Sequence, residues 1–136
     1  MRYLLDTGIW LRLSREPHTL PEACHDSLRK EPQVGLSAVS LREVAWKVAR
    51  GKLSLGQPTL AWFNAALTNQ LVLLPLTAEI AADSPVLPAF PVDDPYDQIV
   101  VATARQHNLT VVTSDRAWRH YDGARILYYK PILADA

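Results

Sequence analysis

Apolar residues fall in two rhythms along the chain, short unbroken runs and longer stretches at helical spacing, and acids recur where one gives way to the other. Residues 3–5, Tyr-Leu-Leu, read as a short buried strand that ends at Asp6, with Thr7 and Gly8 as turn residues. Leu20, Cys24 and Leu28 then recur every fourth position, which predicts a helix over 20–30 packed by that face. Residues 34–36 read as a second strand. Ser37 or Ser40 opens a helix whose Leu41, Val44, Ala45 and Val48 form an apolar stripe until Gly51 stops it. Pro58 starts a further helix with Leu60, Phe63 and Leu67 on one face. Residues 71–74 form a continuous apolar run closed by Pro75, as expected of a strand covered on both faces, and a short helix over 77–82 follows.

The next segment, S-P-V-L-P-A-F-P-V-D-D-P, is dense in proline and is expected to be a stiff extended loop. It leads into V-D-D-P-Y-D-Q-I-V-V-A-T-A, where Pro95 suits the first turn of a helix that continues to about His107, with Asn108 as a left-handed cap. Residues 110–113 form another buried strand before Asp115, 117–120 one helical turn, and 126–129 a last strand. The tail from Lys130 has length only for packing or fraying. Strands alternating with helices predict an α/β/α sandwich around a parallel sheet, in one domain over 1–136.

Composition narrows the partners. The chain of 136 residues carries 14 basic and 14 acidic side chains, so no global field draws nucleic acid, and such a partner would be met by a local basic face. Cys24 is the only cysteine and cannot form an internal disulfide. The start M-R-Y-L-L-D is not a signal peptide, and no apolar run reaches the roughly 20 residues of a membrane span. A soluble cytoplasmic protein with no membrane partner is the expectation.

In parallel sheets of this kind, sites form at the carboxyl ends of the strands. Asp6 and Asp115 follow strands directly, and Glu43 and Asp97 lie near helix starts, so all four are expected on that edge. Each has an ordinary structural reading. Asp94 and Asp97 can cap their helix or interact with its dipole, Ser40 to Glu43 fits a capping box with Glu43 turned away from the Leu41 and Val44 stripe, and Asp115 can be a turn residue. Asp6 is harder to explain that way, because a carboxylate directly after a core strand is partly desolvated and usually has a partner or ligand.

Four acids at one spot repel by roughly 3 kcal/mol per pair at about 5 Å and an effective dielectric near 20. A hard divalent cation, magnesium or manganese, answers that charge with oxygen ligands, and the chemistry implied is phosphodiester hydrolysis by metal-activated water. Zinc does not fit: His18, His25, His107 and His120 have no paired spacing, and Cys24 lacks companion ligands. Candidate phosphate contacts are Arg42 and Arg116, which adjoin candidate ligands, and Thr113, with Asp94 as a possible auxiliary acid. Arg119 also follows Asp115 and could grip phosphate, while Lys47, Arg50 and Lys52 read at least as well as a solvated helix face. Trp10, Trp46, Trp62 and Trp118 read as core or interface rather than base-stacking platforms.

The segments L-L-D-T, S-A-V-S-L-R-E-V-A-W-K-V-A-R-G-K-L, D-P-Y-D-Q-I-V-V-A-T-A and T-V-V-T-S-D-R-A-W, in this order over nearly the whole chain, resemble those of PIN-domain ribonucleases, specifically VapC-type toxins of toxin–antitoxin pairs. The resemblance implies a five-stranded parallel sheet, magnesium-binding Asp6, Glu43 and Asp97 with Asp115 as a fourth acid, endoribonuclease activity on RNA, a homodimer, and a small antitoxin. That antitoxin would set a basic side chain in the acidic pocket and an apolar segment along the helices near Leu11, Leu13 and Leu20. Asp93 and Gln98 depart from the pattern, standing where many relatives carry a basic residue, and Asp93 reads as a solvated loop residue. Two other classes compete. One is a non-catalytic binding domain of the same fold. The other is an aspartic-protease-like hydrolase suggested by L-L-D-T-G, which would be built almost wholly of strands.

Overall fold

A computed structural model of the chain describes residues 1–133. Five parallel strands form one sheet in the order β3-β2-β1-β4-β5: β1 (Tyr3–Leu5), β2 (Val34–Ser37), β3 (Leu71–Leu74), β4 (Thr110–Thr113) and β5 (Arg125–Tyr128). Leu4 pairs with Gly35 on one side and Val111 on the other, which makes β1 central. The helices are α1 (Thr7–Arg15), α2 (Glu22–Arg29), α3 (Ala38–Ala49), α4 (Thr59–Ala66), α5 (Ala78–Asp83) and α6 (Pro95–His107).

Alternation along the strands divides the core in two. Tyr3, Leu5, Val34, Leu36 and Val112 pack with Ile9 and Trp10 of α1, Cys24 and Leu28 of α2, Val44 of α3 and Trp62 of α4. Leu4 and Val111 face the opposite way, onto Ile80 of α5, Val100, Val101 and Ala104 of α6, and Trp118. Both faces of the sheet are therefore covered, as the α/β/α expectation requires. Trp10, Trp62 and Trp118 are buried and Trp46 is half-buried, so three of the four indoles are core residues. No helix among the described residues is long and apolar enough to cross a membrane.

Several local readings change. Thr7 and Gly8 are not a turn but the first residues of α1, because Asp6 caps that helix by accepting from the Thr7 amide. In α4 the buried residues are Trp62 and Ala66, while Leu60 is 70% exposed: with the helix starting at Thr59, the aromatic face is the one that meets Trp10. β3 is an edge strand, and Leu73 is left 41% exposed rather than covered on both faces. The proline segment is not uniformly extended, since it holds a 3-10 turn at Ser84–Val86 and a left-handed Ala89. The helical turn expected at 117–120 is a 3-10 turn over Arg116–Trp118. Asn108 does adopt the left-handed conformation, with φ of 58°, and ends α6. Of the tail, Ile132 bonds the Thr19 carbonyl, and residues 134–136 lie outside the described residues.

Gly35 shows how tightly the sheet meets its neighbours. A Cβ there would lie 3.1 Å from Leu74 Cδ1 and 3.2 Å from Leu4 Cδ1. Gly35→Val is expected to overpack this site and lower stability by about 1–3 kcal/mol, read from the midpoint of urea unfolding; an unchanged midpoint would contradict the packing described.

Candidate active site

The chain order places a crevice at the centre of the sheet. From β1 the chain proceeds outward through β2 and β3, then returns to β4 on the other side of β1, and a parallel sheet opens at such a reversal. Asp6 follows β1 and Asp115 lies two residues beyond β4. Both acids therefore sit on the rim of the same opening.

Asp6 is held from two sides. Its Oδ1 accepts from the Thr7 amide at 2.8 Å and its Oδ2 from the Thr113 hydroxyl at 2.8 Å, while Thr113 Oγ1 in turn accepts from the Asp115 amide at 3.0 Å. Thr113 is fully buried. It thus orients Asp6 and the backbone of Asp115 and is not the substrate contact expected from its position in the sequence. That role was missed because nothing in the sequence reveals where a strand-terminal hydroxyl is spent.

α6 supplies the next two acids in different capacities. Asp94 is the N-cap, accepting from the Tyr96 amide at 2.8 Å and the Asp97 amide at 3.4 Å. With the free amides of the first turn served by Asp94, Asp97 is not needed as a cap. Burial raises the Asp97 carboxyl to about 8, assisted by the charges of Asp6, Asp94, Glu43 and Asp115. Asp6 is raised to about 7, again chiefly by burial, with the Thr113 hydroxyl opposing and the Glu43 charge adding to the rise. The charges of Glu43 and Asp115 thus bear on both Asp6 and Asp97, and Asp97 is in addition raised by Asp6 and Asp94.

Glu43 departs from the capping-box reading. Ser37, not Ser40, caps α3, through the Val39 amide at 3.3 Å. Ser40 lies inside the helix with its Oγ 2.8 Å from Thr7 Oγ1, a buried hydroxyl pair joining α3 to α1. Glu43 is turned inward and buried. Its Oε2 pairs with Lys47 Nζ at 3.1 Å, and its Oε1 has no partner. An unsatisfied buried acceptor costs about 1–3 kcal/mol, so a ligand that meets it is stabilised accordingly.

Asp115 caps the following 3-10 turn by accepting from the Ala117 amide at 2.9 Å. Arg42 and Arg116 are exposed; Arg42 reaches the Tyr96 hydroxyl, next to Asp97, at 3.3 Å. Asp93 is exposed in the loop before the cap, as a solvated loop residue would be. Among the described residues, no three His, Cys, Asp or Glu side chains have closed into a ready-made cation cage. Coupled charges that do not touch are what mutual repulsion produces, and the shared field, rather than the open spacing, defines the site. The donor set is entirely oxygen, with one buried oxygen unserved, and fits a hard divalent cation.

The PIN domain model matches residues 3–124. The chain is 30% identical to Ribonuclease VapC22 of Mycobacterium tuberculosis (strain ATCC 25618 / H37Rv) over 118 residues, 87% of this chain and 90% of that protein. Its fold is similar to VapBC2 from Rickettsia felis bound to a promoter DNA fragment, with TM-score 0.72 and 16% identity over 96% of this chain and 100% of that one. It is also similar to DNA-bound VapBC from Salmonella typhimurium, with TM-score 0.71 and 23% identity over 94% and 98% of the two chains. The chain belongs to the PIN-domain family, and within it to the VapC type. The five-stranded parallel sheet with helices on both faces is the PIN-like architecture. It rules out the aspartic-protease reading, since Thr7 and Gly8 of D-T-G belong to a helix.

The raised carboxyls make metal-free stability depend on pH with a definite sign. Asp97 titrates near 3.8 when unfolded and near 8 when folded, so between these values the folded state holds a proton that the unfolded state has released. Stability from this group is greatest below pH 4 and falls as pH rises to 8. In EDTA, Asp97→Asn is expected to match the wild type near pH 4.5 and exceed it at pH 8 by about 2 kcal/mol, after relaxation and water penetration. Denaturant melts at the two pH values check this; a pH-independent difference would show that Asp97 is not in a shared acidic field.

Proposed function

We propose that the chain is a divalent-cation-dependent endoribonuclease, the toxin of a toxin–antitoxin pair, in which one domain carries the whole site. Asp6, Glu43, Asp97 and Asp115 hold magnesium, or manganese in its place. The observation that carries the reading is that Asp6 and Asp97 are both raised, chiefly by desolvation in one crevice, beside a buried, unserved oxygen of Glu43. Such an arrangement is costly for a fold and useful to a cation.

Magnesium, when bound, supplies Lewis-acid polarisation of a phosphate and activates a water for attack on phosphorus. The chain's own residues prepare the place. Thr113 and the Thr7 amide fix both oxygens of Asp6, and Asp94 fixes the start of α6, so that Asp97 is presented from a rigid first turn. Arg42 and Arg116 stand exposed beside these acids, where they meet the phosphates of a single-stranded RNA. The relative named Ribonuclease VapC22 supports RNA as substrate, and the VapBC neighbours support a protein partner.

For that partner, a cleft of about 480 Å³ lies among α1, α2 and α4, lined by Trp10, Leu13, Leu28, Trp62 and Leu71. It supports the expectation that an antitoxin lays an apolar segment along the first helices, and a homodimer in the cytoplasm is the proposed resting assembly.

Purified protein is expected to cut single-stranded RNA in magnesium or manganese and not in EDTA, leaving 5′-phosphate and 3′-hydroxyl ends. A single 2′-deoxy sugar at the scissile position should still allow cleavage, because water rather than the 2′-hydroxyl attacks. Asp97→Asn should slow cleavage by about 100-fold or more, roughly 2.7 kcal/mol of barrier. Cleavage that persists in EDTA with cyclic-phosphate products would reject the mechanism. Cation binding without cleavage of any RNA would favour the non-catalytic domain.

A further inference from the structure

Lys47 is the cationic side chain paired with any of the four acids among the described residues; the other ion pairs lie elsewhere, Arg2 with Glu31, Arg29 with Glu22 and Asp26, and Arg105 with Asp83. It stands one turn beyond Glu43 on α3, its ammonium 3.1 Å from Oε2. The two ends of the pair differ: the Glu43 side chain is 7% exposed and that of Lys47 is 37% exposed. A lysine stem of four carbons reaching from the half-open flank of a helix to a buried carboxylate can withdraw to water, whereas the carboxylate cannot follow. The remaining oxygen, Oε1, is buried and receives no donor from Lys47 or from anything else described.

We infer that Lys47 is a built-in counter-cation for Glu43, a positioning residue that holds this acid inward in the metal-free site and competes with the divalent cation for it. The inference rests on the proposed cation site. An ammonium and a divalent cation drawn to the same carboxylate repel each other, so Lys47 must leave Oε2, or share Glu43, as the cation enters. The resting protein thereby keeps its acids from full repulsion at the expense of cation affinity. Arg50 and Lys52, further along the chain, are engaged over the Trp46 ring, 5.3 and 4.8 Å from its centroid, and form no ion pair with Glu43.

The test is calorimetric titration with magnesium alone, together with melting of the same proteins in EDTA. Lys47→Met and Lys47→Gln are expected to bind magnesium about three- to tenfold more tightly than wild type and to melt at lower temperature in EDTA, so that magnesium raises their melting temperature by a larger increment. Lys47→Arg should stay close to wild type, and Arg50→Met, which removes a charge from the C-cap of α3 away from Glu43, should change affinity by less than twofold. A helix-surface ion pair with no bearing on the site would leave magnesium affinity unmoved in both neutral variants, and that result, or a loss of affinity, overturns the inference. Asp97→Asn separates the two levels. If it removes magnesium binding while Lys47→Met leaves affinity unchanged, only the role of Lys47 fails. If Asp97→Asn binds magnesium as wild type does, the cation site itself fails and this inference with it.

Discussion

The structure turns on a single electrostatic conflict, the desolvation of like charges at the carboxyl end of the central strand. Asp6 cannot leave the crevice, because β1 lies between β2 and β4 and α1 begins at the very next residue. Asp97 cannot leave either, being fixed in the first turn of a helix whose Val100, Val101 and Ala104 are core residues. Relief comes from protonation, from the Thr113 hydroxyl, from the Lys47 ammonium, or from a cation. The first three are present in the chain itself, and their incomplete success shows in the raised carboxyls and in the unserved Oε1 of Glu43.

Helix capping and site chemistry need the same residue type in the same places, and here the work is shared residue by residue. Asp94 takes the amides at the start of α6, which releases Asp97 from that duty. Ser37 caps α3, which leaves Ser40 to join α3 to α1 and Glu43 to turn inward. Asp6 and Asp115 do both jobs, each giving one oxygen to a backbone amide and keeping the other for the crevice or a neighbour. An acid whose capping function is taken over by a nearby residue, and which is nonetheless buried, is therefore the informative one.

That distinction marks where sequence reasoning succeeds and where it stops. The strands, the order of helices and the left-handed Asn108 follow from apolar runs and local backbone chemistry, and these the residues display directly. The inward turn of Glu43 does not follow from its local pattern, because the buried face of α3 runs through Ser40, Glu43 and Val44 rather than along Leu41, Ala45 and Val48. Thr-Gly after Asp6 looks like a turn in any local reading, and only the demand for a helix over the sheet makes it a helix start. Leu73 is exposed since strand order, which no local pattern encodes, puts β3 at an edge. Thr113 was hidden because its partner Asp6 lies on another element, whereas the i,i+4 spacing of Glu43 and Lys47 is visible and only the burial of Glu43 is not.

Overall neutrality conceals a separation of charge that the proposed reading makes useful. The 14 basic and 14 acidic residues cancel in sum, yet the crevice gathers Asp6, Glu43, Asp97 and Asp115 while Arg42 and Arg116 stand exposed beside them. A polyanion approaching bare carboxylates would be repelled before any ligand formed. Two features reduce that repulsion in the metal-free protein: protons retained on Asp6 and Asp97 by burial, and the Lys47 ammonium held against Glu43. The site is thereby less negative than four bare carboxylates would be, and on the proposed reading a cation that enters takes the place of those protons and that ammonium. Cation entry and the approach of phosphate are then linked through the same carboxylates, since each cation charge that enters offsets the negative charge its own entry uncovers.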